Sequence, residues 1–296
     1  MLANKQLQAF SAVAKLQNFE LAARHLHITQ SAVSQRIRHL EEYVGQTLIV
    51  RTTPLRLTEA GFKVLQHVQK LELLENQLER DLNFEHKSGP INFTIGVNAD
   101  SLSTWFWQAL EPLLKTYRYT FDLVKADQDQ TINLMKQGLT QAVITTHPTP
   151  LQGAKSVYLG KMIYMLVASP AFIEQFFQKG VTKQTLKVAP TAIYDRDDDL
   201  TFDFMEKYFD ISQEHVPYHT FPSVESFERL VLADAGYALI PELQAARYLA
   251  SGELVSLAPE KTMPVPFYLH HWQLNNDELN HVIEAITHAG RRLLIS

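Results

Sequence analysis

Hydrophobic and polar positions along the first eighty or so residues fall into a series of helical stripes. Leu7, Phe10, Val13 and Ala14 share one face of residues 2–16, which predicts a first helix. Phe19, Ala22, Ala23 and Leu26 follow at helical spacing, and His27 and Ile28 break the run. Thr29 stands where a helix N-cap belongs. Val33, Ile37, Leu40 and Val44 then recur at i, i+4, i+7 and i+11, which is one buried stripe. Gly45 is placed to close that helix. The opposite face carries Gln30, Ser31, Ser34, Gln35, Arg36, Arg38 and His39, side chains that hydrogen-bond base edges and phosphates. Two short helices with a small turn between them, the second polar and basic on its free face, predict a helix-turn-helix. An ordinary amphipathic hairpin carries the same helical pattern, so the neighbouring segments have to decide.

Leu48–Val50 and Leu55–Leu57 read as two short extended pieces around a turn that contains Pro54. This is a small β-wing, with Arg51 and Arg56 projecting toward phosphates or an adjacent minor groove. Thr58 is placed to cap a long helix running to about residue 84, with Leu65, Leu71, Leu74, Leu78 and Leu82 along it. Such a stripe calls for a partner, and a second copy of the same helix is the simplest one. Packing on the chain's own body is the alternative. His86, Lys87, Ser88, Gly89 and Pro90 read as the domain linker.

The order of these segments resembles the LysR-type transcriptional regulators. That family's A-A-x-x-L…S-x-x-S-x-x-I-x-x-L-E…G-x-x-L-F-x-R pattern is met by Ala22, Ala23, Leu26, Ser31, Ser34, Ile37, Leu40, Glu41, Gly45, Leu48 and Arg51. Ile49 stands in place of the usual Phe. The resemblance implies a winged helix-turn-helix DNA-binding domain over residues 1–57, a linker and dimerisation helix with its hinge over 58–90, and an effector-binding domain over 91–296. It also implies double-stranded DNA as partner, self-association as a homodimer or homotetramer, and RNA polymerase as a further partner.

Beyond residue 90 the periodicity changes. Ile91, Phe93, Ile95 and Val97 alternate as a strand, and Asn98–Ser101 turn into a helix starting near Leu102. Thr120–Ala126 reads as a strand, Thr131–Gln137 as a short helix and Gln141–Thr146 as a third strand. Alternating β and α with short loops predicts an α/β fold with a mostly parallel sheet flanked by helices. The apolar run in Lys161–Ser169 reads as a strand crossing into a second lobe, Val265–Trp272 as the return, and Glu278–Leu294 as a closing helix. The expectation is two α/β lobes around a ligand cleft, lobe I at 91–163 and 266–296 and lobe II at 164–265. LysR effector domains resemble periplasmic binding proteins in this way.

Charge sharpens the division. Residues 1–60 hold seven lysines and arginines against four glutamates, whereas residues 90–296 hold 16 basic against 23 acidic side chains. A net charge of −5 therefore hides a basic head on an acidic body. The chain has no cysteine, so neither a disulfide framework nor a thiol nucleophile is available. The N-terminus has no basic segment followed by an apolar one, and no apolar run approaches the ~18–20 residues of a membrane span. The expected location is cytoplasmic, with no membrane partner.

An enzyme should leave a chemical constellation. There is no G-x-S-x-G elbow, Walker A, G-x-G-x-x-G after a strand, or H-E-x-x-H. His270 and His271 are adjacent on a strand and point to opposite faces, which disfavours chelation of one metal. The expectation is no catalytic residue, no metal and no cofactor. A ligand has better prospects. Asn98, Asp100, Ser101 and Thr104 lie at a strand-to-helix turn that suits a carboxylate, although Asp100 or Ser101 could simply cap the helix. Thr146 ends the third strand, Asp195 follows the segment TAIY, and Ser223 and Glu225 follow YHTF. Acidic groups at strand ends complement a cationic ligand.

VNADSLSTWFWQAL, together with ITQSAVSQRIRHLEEYVGQTLIVRT and SGELVSLAP, is similar to the LysR branch of arginine- and lysine-responsive regulators of basic amino-acid export, also called chromosome-initiation inhibitors. That resemblance implies lysine or arginine as co-effector and an exporter gene as target. A LysR-type regulator answering a different small ligand is the alternative, with a solute-binding protein or an enzyme further behind.

Overall fold

The structure is a computed structural model that describes residues 4–82, 90–125, 131–195, 199–212 and 216–296. Most of the expected linker, His86–Gly89, lies outside the described residues, as do Ala126 at the end of an expected strand and the last residues expected of the long helix. The head comprises α1 (Asn4–Leu16), α2 (Phe19–His25), α3 (Gln30–Val44), the wing strands β1 (Ile49–Val50) and β2 (Arg56–Leu57), and the long helix α4 (Glu59–Asp81). Leu7, Phe10, Val13, Ala22, Ala23, Val33, Ile37 and Leu40 form one buried cluster with Leu48, Leu65 and Val68. Three helical stripes thus meet in a single core, as their spacing dictates.

The elements beyond residue 90 follow in chain order. They are β3 (Ile91–Val97), α5 (Ala99–Thr104), α6 (Trp107–Leu114), β4 (Tyr119–Lys125), α7 (Thr131–Lys136), β5 (Ala142–Thr145), β6 (Ala154–Ala168), α8 (Pro170–Phe176) and α9 (Lys183–Leu186). Then come β7 (Thr191–Ile193), α10 (Leu200–Phe209), β8 (Tyr218–Thr220), α11 (Val224–Leu232), β9 (Tyr237–Pro241), α12 (Glu242–Ser251), β10 (Val255–Ser256), β11 (Met263–Trp272) and α13 (Asp277–Leu293). The fold is α/β, as the alternation predicts.

The chain divides into two compact units, one of Met1–Val97, Leu113–Ser156 and Leu269–Glu284, the other of Asn98–Pro112, Val157–Tyr268 and Ala285–Ser296. In the first, β3 pairs in parallel with both β4 and β5 and buries Phe93, Ile95 and Val97. In the second, β7 pairs in parallel with β8 and β9, and β9 runs antiparallel to β6. β6 is fifteen residues long, reaching well before the expected start at Lys161, because its earlier half is only partly buried and lacks the apolar run that marks the rest. Helix α5 begins at Ala99 rather than near Leu102.

The leucine stripe of α4 is the main departure from expectation. Leu65 is fully buried in the head core and Leu71 packs on that core's rim, while Leu74, Leu78 and Leu82 are exposed. At about 100° per residue, Leu65 lies roughly 100° or more around the helix from the other four, so the five never shared one narrow face. Gln66, Lys70 and Leu73, at i, i+4 and i+7, turn to the chain's own body instead. Gln66 Nε2 donates to the carbonyl of Lys136, the Lys70 ammonium sits 4.0 Å from the ring centre of Trp272, and Asn276 donates to the carbonyl of Leu73. Gly138, at φ +66°, allows the approach, since a Cβ there would lie 2.7 Å from the Gln66 nitrogen.

Candidate nucleic-acid interface and effector site

The helix-turn-helix is held by local hydrogen bonds. The Asn18 side chain caps α2 by accepting from the N–H groups of Glu20 and Leu21 at 2.8 and 3.0 Å. His27 turns the chain at φ +52°, and Ile28 N–H donates to the Ala23 carbonyl at 3.0 Å. Thr29 caps α3 by accepting from Ala32 N–H at 3.2 Å, and Gly45 closes the helix at φ +73°. With Val33, Ile37 and Leu40 buried, Gln30, Ser31, Gln35 and Arg38 are exposed and Ser34 and Arg36 half-buried on the same helix. The Ser31 hydroxyl lies 2.9 Å from that of Thr29, and Arg38 Nε donates to Glu42 Oε1 at 3.0 Å.

The wing is anchored on α3 by a residue that the sequence offered only as part of a pattern. Glu41 Oε1 accepts from the N–H groups of Leu48 and Ile49 at 2.8 and 3.2 Å. Thr58 completes the base: its N–H donates to the Leu48 carbonyl at 3.0 Å, and its hydroxyl donates to the Thr47 carbonyl at 2.7 Å. The same hydroxyl accepts from Gly61 N–H at 3.0 Å, so Thr58 caps α4 as its position predicts. Arg51 and Arg56 are both exposed on this wing, and the Arg51 guanidinium lies 4.9 Å from the ring centre of Phe19.

The candidate effector residues fall mostly in one unit. Asn98 is the N-cap residue of α5 but its side chain makes no capping bond, so Asp100 and Ser101 lie inside the helix and neither caps it. The Tyr164 hydroxyl donates to Asp100 Oδ2 at 2.6 Å, and Thr104 Oγ1 donates to the Asp100 carbonyl at 2.5 Å. Both side-chain polar atoms of Asn98 and the hydroxyl of Ser101 are buried with no hydrogen-bond partner among the described residues. Helix α5 packs on α11 and α12. Ser223 precedes α11, and its hydroxyl donates to Glu225 Oε2 at 2.7 Å. Asp195 lies two residues past the end of β7, the strand that pairs with β8 ahead of Ser223. Thr146 belongs to the other unit, directly after β5.

Tyr164 and Gln244 escaped the sequence reading. Gln244 is buried, donates from Nε2 to the Val224 carbonyl at 3.3 Å, and keeps Oε1 without a partner among the described residues. Its place in α12 follows from an amphipathic pattern in which a glutamine looks like a surface residue. Among the described residues no group of three or more histidine, aspartate or glutamate side chains is placed to hold a metal. No helix among them is long and apolar enough to cross a membrane.

Comparison with known proteins bears on both surfaces. Residues 4–62 match the bacterial regulatory helix-turn-helix protein family described as lysR family, and residues 91–289 match the LysR substrate binding domain. The HTH-type transcriptional regulator ArgP of Vibrio cholerae is 38% identical, over 97% of this chain and 97% of its own. The crystal structure of ArgP from Mycobacterium tuberculosis superposes with a TM-score of 0.88 at 33% identity, covering 100% of both chains. Full-length LysG of Corynebacterium glutamicum with bound effector Arg gives a TM-score of 0.79 at 30% identity over 99% of both chains.

Proposed function

The chain belongs to the LysR family of transcriptional regulators, and on that premise we propose that its effector domain binds a basic amino acid, lysine or arginine. The DNA-binding regulatory role is the family's, and it is not an enzymatic one. The observation that carries the effector reading is the likeness, along nearly the whole chain, to LysG with arginine bound. The chemistry of the second unit supports it. Asn98, Ser101 and Gln244 hold buried polar atoms without partners among the described residues, which is costly unless a ligand's polar groups meet them. The Asp100, Asp195 and Glu225 carboxylates supply the charge that a cationic side chain calls for. Thr104 and Ser223 complete the proposed set in that unit.

In this reading Gln30, Ser31, Ser34, Gln35, Arg36 and Arg38 enter the major groove, and Arg51 and Arg56 contact the flanking backbone. The exposed Leu74 and Leu78 of α4, with Leu82 just past its end, meet a second copy of the chain, so that two recognition helices read two half-sites. Dimers pair into tetramers, the protein works in the cytoplasm, an exporter gene for basic amino acids is the target, and RNA polymerase is a further partner. Differential affinity of the effector for two arrangements of the protein drives the switch.

Calorimetry with L-lysine, L-arginine and L-leucine tests the effector. Heat from lysine or arginine that is lost in Asp100→Asn is the expected result, and heat from leucine alone would overturn the assignment. For the DNA half, a gel shift with the region upstream of the protein's own gene should weaken strongly in Arg36→Ala and Ser34→Ala. Unchanged sequence-specific binding in both variants would remove α3 from the groove.

A further inference from the structure

Three arginines beside the helix-turn-helix face, Arg24, Arg38 and Arg51, are held in different ways. Arg24 pairs with Glu20, and Arg38 pairs with Glu42 at 3.0 Å. A phosphate that recruits either one competes with a carboxylate. Arg51 lies instead over an uncharged ring, its guanidinium carbon 4.9 Å from the centre of Phe19. A cation held over a ring face is positioned without spending its N–H donors on a carboxylate.

Both ends of this contact sit on fixed backbone. Phe19 is the first residue of α2, whose start is set by the Asn18 cap, and its ring packs against the head core. Arg51 leaves the wing immediately after β1, whose base is tied to α3 by Glu41 and to α4 by Thr58. What remains free is the long, rotamer-rich arginine side chain itself. Ordering such a side chain on binding opposes affinity, and a contact that orders it beforehand removes that opposition.

We infer that Phe19 is a positioning residue for DNA binding: it holds the Arg51 guanidinium beside the start of α2, over an uncharged ring instead of against a carboxylate, ready for a backbone phosphate. The inference rests on the reading of Arg51 as a DNA backbone contact. Phe19 touches no DNA in it and acts only through Arg51. The helix spacing had assigned Phe19 wholly to the apolar face of α2.

A double-mutant cycle separates this role from a structural one. Full-length wild type, Arg51→Ala, Phe19→Leu, the double variant and Phe19→Tyr are titrated by fluorescence anisotropy against a duplex from upstream of the protein's own gene, over a series of salt concentrations. Arg51→Ala should bind about tenfold more weakly and flatten the salt dependence by close to one phosphate contact. Phe19→Leu should weaken binding about threefold with the wild-type salt slope, since the charge remains and only its placement is lost. The double variant should bind no more weakly than Arg51→Ala, and Phe19→Tyr, which keeps the ring face, should bind like wild type.

Additive losses, or wild-type affinity in Phe19→Leu, overturn the positioning role while leaving Arg51 as a contact. An unchanged Arg51→Ala overturns the underlying reading as well. Thermal melts of the five proteins identify a variant whose head has failed to fold. In that event Phe19→Met, with a flexible apolar side chain and no ring, carries the same comparison.

Discussion

Asn276 donates from Nδ2 to the carbonyl oxygen of Leu73 at 2.8 Å while its own Oδ1 accepts from Leu279 N–H, also at 2.8 Å. One buried amide thus ties the middle of α4 to the first turn of α13. Asn276→Ala removes the tie and the cap together and should cost about 2–3 kcal/mol in urea unfolding. Asn276→Asp keeps the acceptor at Oδ1 but loses the donor, so its loss should be mainly that of the Leu73 contact. Equal stability of wild type and Asn276→Ala would show that the amide does not hold the two helices.

Gly61 lies where the wing meets α4. A Cβ at this position would fall 2.2 Å from the carbonyl oxygen of Leu48, a backbone atom that Thr58 N–H also holds. Gly61→Ala should therefore destabilise the head by about 2 kcal/mol or more through overpacking. Thermal unfolding should shift down and DNA affinity should fall, while calorimetric effector binding stays near wild type. A melting curve unchanged from wild type would rule out the close approach.

Leu74 and Leu78 on α4, and Leu82 just past its end, are each more than two-fifths exposed. Leu74→Glu combined with Leu78→Glu places charge there without touching the head core, which uses Leu65 and Val68. Light scattering after size-exclusion chromatography should move the protein to a smaller assembly, and affinity for a two-half-site duplex should drop by at least tenfold. An unchanged mass would assign self-association to another surface.

Burial holds the imidazoles of His270 and His271 below the ordinary histidine value. Between that depressed folded value and about 6.5 the unfolded chain binds more protons than the folded one, so stability rises with pH through this window. Their contribution is complete above about pH 6.5 and is lost as the pH falls toward the folded value. Melting temperature should decrease on going from about pH 7.5 to about pH 5.5. His270→Phe, fully buried and uncharged, should reduce that decrease. The same pH dependence in the variant would assign the effect to other groups.

The head was legible because its information is local. Thr29, Gly45 and Thr58 mark helix ends from their own positions, and Val33, Ile37 and Leu40 declare a buried face by spacing alone. The wing was legible as a pair of extended pieces, but its anchor was not. Glu41 looks like one more charge on an amphipathic helix, and its hydrogen bonds to Leu48 and Ile49 depend on how the chain returns. Tyr164 and Gln244 were missed for the same reason. Each acquires its partner, Asp100 in one case and the Val224 carbonyl in the other, only through the packing of separate elements.

By itself the sequence determined the order of the elements, the helix-turn-helix with its polar face, the α/β character of the body and, through an extended motif, the family. Those features rest on periodicity, capping and turn chemistry, which act over a few residues. The tertiary structure decided which side of α4 faces which neighbour, since a run of leucines states an apolar surface without stating what covers it. It also decided that Phe19 lies under Arg51. Helical spacing gave that ring a face to bury, and only the path of the wing brought a cation over it.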